Sequence, residues 1–561
     1  MPICKDLQTQ KSKVAELLSF MGWPFNCPVE EAIIPTIVDA STFEKRWIRI
    51  MVFSSIIFLF LFLPLVLGVY HLLFLPVFLG LNGRFWRRMS NLFLLLSSLV
   101  FYFWGETFLV WIVITSTFID YLCGLIISGG IRKRKTEIPG PESPRLFREK
   151  LGLMISVCSN LTFLGIFKYF NFGVESYNGV VEWAGLSGWA LNDVMRVTLP
   201  LGISFYTFQS MSYTIDVYRG HVRATRNLID FACYVTMFPQ LVAGPIVRYR
   251  DIANQLVSRV LTRERFASGV SRFILGLGKK VIVANTVSVV AENIFELPTS
   301  NLTCSVAWLG SLAYAIQIYF DFSGYSDMAI GLGRMFGFDF KENFNYPYIS
   351  KSVQEFWRRW HISLSTWFRD YLYIPLGGSR GSTKRTYVNL MTVFFLCGLW
   401  HGASWTFVVW GLYHGLFLIL ERVWLGEFLK RLPGVLCHMY TLLVIVCGWV
   451  LFTSATLPNG LRFLAVMFGF GESTGAVQEL SWHLTRDVKT ALLLGVIFSM
   501  PVVPALARLK KHLAQSYQGS GRAVVEFPLA VCRTLGLYLI LIVCLMLLSA
   551  STHNPFIYFR F

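Results

Sequence analysis

Three polar stretches interrupt an otherwise apolar sequence, and they hold the residues that could do chemistry. They are 317–338 (QIYFDFSGYSDMAIGLGRMFGF), 355–380 (EFWRRWHISLSTWFRDYLYIPLGGSR) and 397–415 (CGLWHGASWTFVVWGLYHG). Each places ionisable side chains among residues apolar enough to sit in lipid. An ionisable group at membrane depth is costly unless it is paired or lines a wet cavity, so each such group is a candidate functional residue.

Two histidines in these stretches are candidates for general acid–base chemistry. Histidine is the usual proton acceptor near neutral pH because its pKa lies close to 7. His401 stands between Trp400 and Gly402, and the glycine lets a substrate or a neighbouring helix approach the imidazole. His361 follows two nearby arginines, and guanidinium groups suit an anionic ligand such as a pyrophosphate or a carboxylate.

Structural roles for both histidines are open alternatives. His401 also fits a core histidine that donates a hydrogen bond to a backbone carbonyl. The segment around His361 also fits an interfacial amphipathic helix, with arginines at the lipid headgroups and tryptophans as anchors. Pro375 and Gly377-Gly378 are expected to end that helix.

The remaining polar groups of these stretches favour structural roles. Asp321 and Asp327 are possible cation ligands, but carboxylates six residues apart need not share a helix face, which favours hydrogen bonds to neighbouring helices. His414 lies 13 residues after His401, about 3.6 turns of one continuous helix, so we expect it to face nearly the opposite way and to pack in the core. The sequence has no GxxxxGK[ST], HExxH or GxSxG motif, and we predict no metal.

The elements that must position these residues are membrane-spanning helices. The chain has 561 residues, of which 55% are hydrophobic and only 15% are charged, against roughly a quarter in soluble proteins. Apolar runs of about 20 residues recur, the length that crosses ~30 Å of hydrocarbon. The alternating strands of a β-barrel are missing from the pattern. The predicted fold class is therefore an all-α polytopic membrane protein.

The net charge of +18 reflects basic connectors rather than a nucleic-acid surface. Lysines and arginines fall mostly in short loops between apolar runs, as cytoplasmic loops do, so 132–150 and 508–522 are predicted to be cytoplasmic. The 11 cysteines are scattered, most of them inside apolar runs, without CxxC or zinc spacing. We therefore predict small core residues and no disulfide framework.

Apolar runs divide the chain from residue 51 onward, and they predict about 11–13 helices, with a break near Gly105-Glu106. The runs are 51–82, 91–131, 151–171, 195–217, 228–247, 270–295, 305–337, 388–425, 436–453, 488–507 and 526–550. Residues 1–50 are mixed and only mildly apolar. We expect them to be an N-terminal extension outside the functional fold, with Met51 as the functional start and 51–561 as the transmembrane domain.

The polar stretches also carry a family resemblance. FWRRWHISLSTWFRDYLYIPLGGSR and LWHGASWTFVVWGLYHG together resemble the membrane-bound O-acyltransferases. Further matching stretches are LPLGISFYTFQSMSYTIDVYRG (199–220), FPQLVAGPIVRYRD (238–251) and IQIYFDFSGYSDMAIGLG (316–333). The sequence is most similar to the bacterial branch that O-acetylates exported polysaccharides such as alginate, and the resemblance covers about 51–555.

This resemblance implies a fold of about 11–13 transmembrane helices, with short tilted or re-entrant helices around a central tunnel. The stretch 355–380 would form part of the tunnel wall, where water and substrate make its charges tolerable. The matched positions imply that His401 and His361 are the two active-site histidines. The implied location is the bacterial inner membrane.

The implied reaction is acyl transfer from acetyl-CoA as the donor, with no bound cofactor. His401 would be the general base on the attacking hydroxyl. His361 would orient the thioester or stabilise charge on the tetrahedral intermediate. The candidate substrate-binding residues are Arg358, Arg359, Ser363 and Trp400.

The expected partners are the acetyl donor, membrane lipid and periplasmic acetyltransferase or relay proteins, and no nucleic acid. The competing class is a transporter or flippase that moves the polysaccharide or a lipid-linked precursor without acyl chemistry. A scaffold subunit of a synthase complex is a third possibility. The paired histidines in their motif context favour the enzyme.

Overall fold

The computed structural model describes residues 51–130, 145–471, 475, 478–516, 520–550 and 554–555. Across these ranges the chain is helical, with no β-strand, which confirms the all-α fold class. The predicted extension 1–50 and most of the basic loop 132–150 lie outside the described residues.

The helices of the first part of the described chain are short to medium in length and follow one another closely. In order they are α1 Leu63–Phe78, α2 Gly83–Glu106, α3 Val110–Ile127, α4 Phe147–Leu164, α5 Phe170–Trp183, α6 Ile203–Arg219, α7 Leu228–Thr236, α8 Phe238–Leu241, α9 Tyr249–Val257, α10 Arg263–Gly278 and α11 Asn285–Glu296. The boundary between α2 and α3 confirms the break predicted near Gly105-Glu106.

The second part begins with the longest helix and contains both candidate histidines. Its helices are α12 Cys304–Met335, α13 Val353–Arg359, α14 Ile362–Phe368, α15 Thr383–His401, α16 Trp405–Leu420, α17 Gly426–Leu429, α18 Gly434–Thr453, α19 Leu457–Met467, α20 Leu480–His483, α21 Arg486–Ser499, α22 Val502–Ser516 and α23 Ser520–Ala550. Several helices are joined by single wide π-helical turns, including Gly165–Tyr169 and Lys279–Ala284. Such turns often occur near functional residues.

Seven helical runs of the described chain are long and apolar enough to cross a membrane. They are Phe58–Phe78, Gly83–Ile127, Phe147–Trp183, Arg263–Glu296, Trp405–Leu429, Gly434–Thr453 and Phe527–Ala550. An eighth is added if Arg486–Ser499 and Val502–Leu509, bent by 60° to each other, form one span. The protein is therefore a multi-pass membrane protein. The 11–13 helices predicted from the sequence also include α12 and α15. These two helices are too polar to be counted among the seven apolar runs.

The long helix α12 forms the centre of the bundle. It has 32 residues and is buried along most of its length. Helix α10 runs antiparallel to it, and the two backbones touch at two glycine pairs. A Cβ at Gly276 would lie 2.6 Å from the Gly324 carbonyl oxygen, and one at Gly269 would lie 2.6 Å from that of Gly331. Small residues at such contacts let membrane helices pack closely.

The two aspartates of α12 are paired with cations from α10 and the π-helical turn that follows it. Asp321 lies 2.7 Å from the ammonium group of Lys280. Asp327 lies 2.6 Å from Arg272 and 2.7 Å from Lys279. These contacts confirm that both carboxylates bind neighbouring helical segments.

Helices α15 and α16 form a second tight antiparallel pair. A Cβ at Gly398 would lie 2.3 Å from the Phe407 carbonyl oxygen, and one at Gly411 would lie 2.3 Å from that of Phe394. Both obstacles are backbone atoms, which cannot move aside as a flexible side chain can. The two glycines therefore set how closely α15 and α16 approach.

Replacing Gly411 by Ala is expected to lower the free energy of unfolding by about 1–3 kcal/mol, because the added methyl group forces the two helices apart. Thermal unfolding of the detergent-solubilised protein measures this. Gly173→Ala in α5 is the matched control, because nothing lies within 4 Å of its Cβ position. Equal melting temperatures for Gly411→Ala and the wild type would contradict the packing argument.

Candidate active site

The two candidate catalytic histidines meet at the indole ring of Trp400. Between ring centroids, Trp400 lies 5.9 Å from His361 and 4.9 Å from His401. All three side chains are buried. The indole N–H of Trp400 is directed to the backbone oxygen of Ser204, at 3.3 Å. The structure thus brings together three predicted site residues from two separate stretches.

His361 lies at a sharp break in the chain between α13 and α14. Its φ angle is +43°, in the left-handed region that non-glycine residues rarely adopt. Such a conformation costs about 1–3 kcal/mol and occurs preferentially at functional sites. The single amphipathic helix considered for this stretch is therefore wrong. The predicted end of the helical stretch is confirmed, because helix stops at Tyr373 and Gly377-Gly378 follow with positive φ.

Asn343 fixes the ring of His361. Its side-chain oxygen accepts hydrogen bonds from the backbone N–H of Ser363, at 3.1 Å, and from the Ser363 hydroxyl, at 2.9 Å. Because a backbone N–H can only donate, the atom that faces it must be the amide oxygen. His361 Nδ1 lies 3.3 Å from the same oxygen and 3.5 Å from the Ser363 hydroxyl, and it donates to the amide oxygen in the tautomer that carries its proton on Nδ1. In the neutral ring this places the lone pair on Nε2.

Ser363 helps to hold Asn343 in place beside His361. Its hydroxyl donates to Asn343 and accepts from the backbone N–H of Ile246, at 3.0 Å. The predicted substrate-binding serine is therefore tied to Asn343, which contacts His361, and to the backbone of Ile246. Sequence reasoning missed Asn343, because a single asparagine between a charged and an aromatic residue forms no recognisable motif.

His401 is the last residue of α15, and its ring is enclosed by aromatic side chains. The ring centroid lies 5.0 Å from that of Trp410 and 5.3 Å from that of Phe452. The Nδ1 atom is buried, and no described residue offers it a hydrogen bond. The core-histidine alternative, in which the ring donates to a backbone carbonyl, finds no such bond in the described part of the chain.

The turn after His401 requires a glycine. A Cβ at Gly402 would lie 2.1 Å from a ring carbon of Phe407. The neighbouring aromatic ring thus occupies the space that any other side chain would need. The close approach that Gly402 permits is therefore that of Phe407, a side chain of the neighbouring helix α16, to the backbone at residue 402.

Lys168 and Tyr169 hold the end of α15 and were missed by the sequence analysis. Lys168 Nζ donates to the carbonyl oxygens of Trp400, at 2.5 Å, and His401, at 3.2 Å. The Tyr169 hydroxyl donates to the carbonyl oxygen of Leu399, at 2.6 Å. A single lysine inside the apolar run 151–171 was the signal that could have identified this contact.

The orientation predicted for His414 is wrong. The prediction that His414 faces away from His401 assumed one continuous helix. The chain instead turns at residues 402–404, between α15 and α16. His414 and His401 therefore both pack edge to face against Trp410, at 5.1 and 5.0 Å between ring centroids. His414 is also packed against Trp357, at 5.2 Å, in keeping with a packing role.

The two predicted anion-binding arginines lie apart from the imidazoles. Arg359 forms an ion pair with Glu355, at 2.8 Å, and donates to the carbonyl oxygen of Asn345, at 3.1 Å. Burial would raise the pKa of Glu355, but hydrogen bonds from the Lys351 backbone and from Arg359 lower it below its usual range. Arg358 is exposed. Across the described ranges, neither guanidinium contacts the ring of His361 or of His401.

A denser basic cluster surrounds Asp370, at the end of the same stretch. Asp370 lies 2.7 Å from Arg248 and 3.2 Å from Arg250. A small cleft of about 50 Å³ is lined by Ser363, by the basic side chains of Arg248 and Lys341 and by the carboxylates of Asp251 and Glu342. The cluster therefore brings ion-paired side chains, with both signs of charge, close to Ser363.

Neither a metal centre nor a disulfide is found where the chain is described. No group of three His, Cys, Asp or Glu side chains there is arranged to hold a metal ion. The cysteines in the same ranges are all free.

Known proteins are similar to this chain over much of its length. Residues 99–456 match MBOAT, the membrane-bound O-acyltransferase family. The chain is 42% identical over 530 residues to the probable alginate O-acetylase AlgI of Azotobacter vinelandii, covering 91% of this chain and 100% of that protein. It is 32% identical over 565 residues to the peptidoglycan O-acetyltransferase of Helicobacter pylori, covering 93% and 100%. It is 32% identical over 237 residues to the teichoic acid D-alanyltransferase of Bacillus subtilis, covering 39% and 58%.

Replacing Asn343 by Leu is expected to lower acyl transfer roughly 10- to 100-fold, because His361 loses the acceptor that fixes its tautomer and ring orientation. The measurement is the transfer rate in membranes at matched protein level. Ser326→Ala is the control, since Ser326 only accepts one hydrogen bond from Asn343, at 3.2 Å. Equal rates for the two variants would show that Asn343 does not act through His361.

Proposed function

The chain belongs to the membrane-bound O-acyltransferase family, and from this premise we propose that it supplies acetyl groups for the O-acetylation of an exported polysaccharide, alginate. The observation that carries the proposal is the meeting of His361 and His401 at Trp400, inside the family-matched region. The choice of polymer follows the relatives named as alginate O-acetylases, which the chain matches over their whole length.

His401 is the proposed general base. Its ring is buried among aromatic side chains and has a nitrogen that no described residue engages. A hydroxyl that enters the site can therefore deliver its proton to the imidazole without displacing an existing hydrogen bond. The attacking oxygen then forms a bond to the carbonyl carbon of the thioester, and the thiolate leaves.

His361 is proposed to orient the reactants. A neutral ring whose Nδ1–H is directed to Asn343 has no second N–H to offer an oxyanion. Of the two roles considered for this residue, orientation therefore fits the observed hydrogen bonds better than stabilisation of the tetrahedral intermediate. Trp400 packs between the two rings and sets the distance between them.

The proposed donor is acetyl-CoA from the cytoplasm, and the proposed location is the bacterial inner membrane. CoA is strongly anionic, so exposed basic side chains such as Arg358 raise its local concentration near the protein. Periplasmic acetyltransferase or relay proteins are the proposed partners that place the acetyl groups on the polymer. Family membership favours this enzyme over a transporter or a scaffold, neither of which would consume acetyl-CoA.

Replacing His401 by Ala is expected to lower the O-acetyl content of the polysaccharide by about 100-fold or more, because the general base is lost. The O-acetyl content is measured in cells, with the amount of the variant in the membrane determined by immunoblot. His414→Ala is the matched control, because this buried histidine packs against the same Trp410 ring. Normal acetylation with His401→Ala at normal protein level would exclude the proposed base.

Replacing Arg358 by Gln is expected to raise the KM for labelled acetyl-CoA about 3- to 10-fold at low salt, with little change in kcat. The physical reason is weaker electrostatic attraction of the donor, so the effect should shrink as ionic strength rises. Lys489→Gln removes one charge from an exposed position on α21 and serves as the control. An identical KM for wild type and Arg358→Gln at low salt would rule out this role.

A further inference from the structure

We propose that Lys168 is a positioning residue of the acyltransferase site, whose ammonium group anchors the carboxyl end of α15 and thereby orients the ring of His401. The inference rests on the proposed role of His401. It adds a residue from a distant helical turn, Gly165–Tyr169, that no motif or sequence spacing marks.

The three N–H bonds of Lys168 all have acceptors. Nζ lies 2.5 Å from the Trp400 carbonyl oxygen, 3.2 Å from that of His401 and 3.2 Å from the Ser204 hydroxyl oxygen. A lysine ammonium has three donors and no acceptor, so this set is complete. Lys168 therefore has no N–H left for a substrate, and its role must act through the residues that it holds.

The end of α15 is completed by this contact. The last four carbonyl groups of a helix lack partners within the helix. In α15 the first of the four, that of Gly398, accepts from the Gly402 backbone N–H, at 3.3 Å. The next, that of Leu399, accepts from Tyr169, and the last two accept from Lys168. Without the ammonium group, the two residues at the site would lose the partners of their carbonyls.

Lys280 is also a buried lysine, but the charge of Lys168 is compensated in a different way. Lys280 lies 2.7 Å from the carboxylate of Asp321. No carboxylate of the described residues lies within ion-pair distance of Lys168, which is only 8% exposed. Its compensation is the negative end of the α15 helix dipole and the carbonyl oxygens there. Burying a cation at a helix end is costly. We therefore expect such a cation where the position of that helix end matters for function.

The position of this helix end matters for His401 because the ring has no hydrogen bond of its own among the described residues. Its orientation therefore depends on the backbone at the end of α15 and on packing against Trp410 and Phe452. A shift of about 1 Å in a catalytic group can cost roughly 100-fold in rate. Loss of Lys168 should therefore lower kcat and leave donor binding intact.

The first test compares Lys168→Met with Tyr169→Phe in membrane vesicles that contain wild-type partners, using labelled acetyl-CoA. Lys168→Met is expected to lower kcat at least 10-fold, with the KM for acetyl-CoA within twofold of wild type. Tyr169→Phe removes one neutral donor from the same helix end and is expected to change kcat by less than about threefold. Wild-type kcat in Lys168→Met, or equal losses in both variants, would overturn the proposal.

The second test remains decisive if Lys168→Met fails to accumulate. Lys168→Ala is purified with propylamine present, the amine is removed, and kcat is measured after adding back either propylamine or propanol. Propylamine is expected to raise kcat at least fivefold, because it restores the ammonium group, whereas propanol should not. Equal kcat with the two additives would overturn the proposal.

His401→Ala, assayed alongside, separates failure of this inference from failure of the proposed function. If His401→Ala retains wild-type turnover, the general base itself is misassigned, and the positioning role falls with it. If His401→Ala is inactive and the Lys168 variants behave as wild type, only the role of Lys168 is refuted.

Discussion

Direct contact between helix backbones is the constraint on which the rest of this structure depends. Glycines permit it where α10 meets α12 and where α15 meets α16, and in both places the obstacle to a larger side chain is a carbonyl oxygen. In a membrane, helices gain little from burying apolar surface against each other, so van der Waals contact at this range has to supply the association. The second contact has a chemical consequence. It fixes the end of α15 against the start of α16, and the residue at that end is His401.

Close packing would be unfavourable if it left polar groups buried without partners. Several of the buried polar groups in the described chain are satisfied in pairs that cross between elements: Asp321 with Lys280, Asp327 with Arg272 and Lys279, Asn343 with His361 and Ser363. Lys168 completes the end of α15 in the same way, with carbonyl oxygens in place of a carboxylate. Each pair joins segments that are distant in sequence. The apolar surfaces of these helices would tolerate several arrangements. The polar pairs therefore select one of them.

This arrangement also explains what the sequence could and could not predict. Apolar runs and long ordered motifs were sufficient for the fold class and the family, because these depend on local composition and on residue order. The same motifs singled out the two histidines that the structure brings together at Trp400. The break at His361 was not predictable, since a positive φ at a histidine is stabilised by Asn343, which lies 18 residues upstream and forms no motif. The error at His414 was avoidable in principle. Ser404 caps the start of α16 through the backbone N–H of Thr406, and Gly-Ala-Ser is a reasonable signal for a helix boundary.

The two imidazoles differ in a way that bears on catalysis. His361 has its Nδ1 committed to Asn343 and a strained backbone, so its geometry is set before substrate arrives. His401 has its backbone carbonyl bound by Lys168 and a buried ring nitrogen without a partner among the described residues. A buried polar atom that lacks a hydrogen bond costs about 1–3 kcal/mol. Under the proposed mechanism the hydroxyl of the acceptor removes this cost when it binds. The site would then favour the acceptor-bound state over the acceptor-free state, and it would do so at the nitrogen that is proposed to take up the proton.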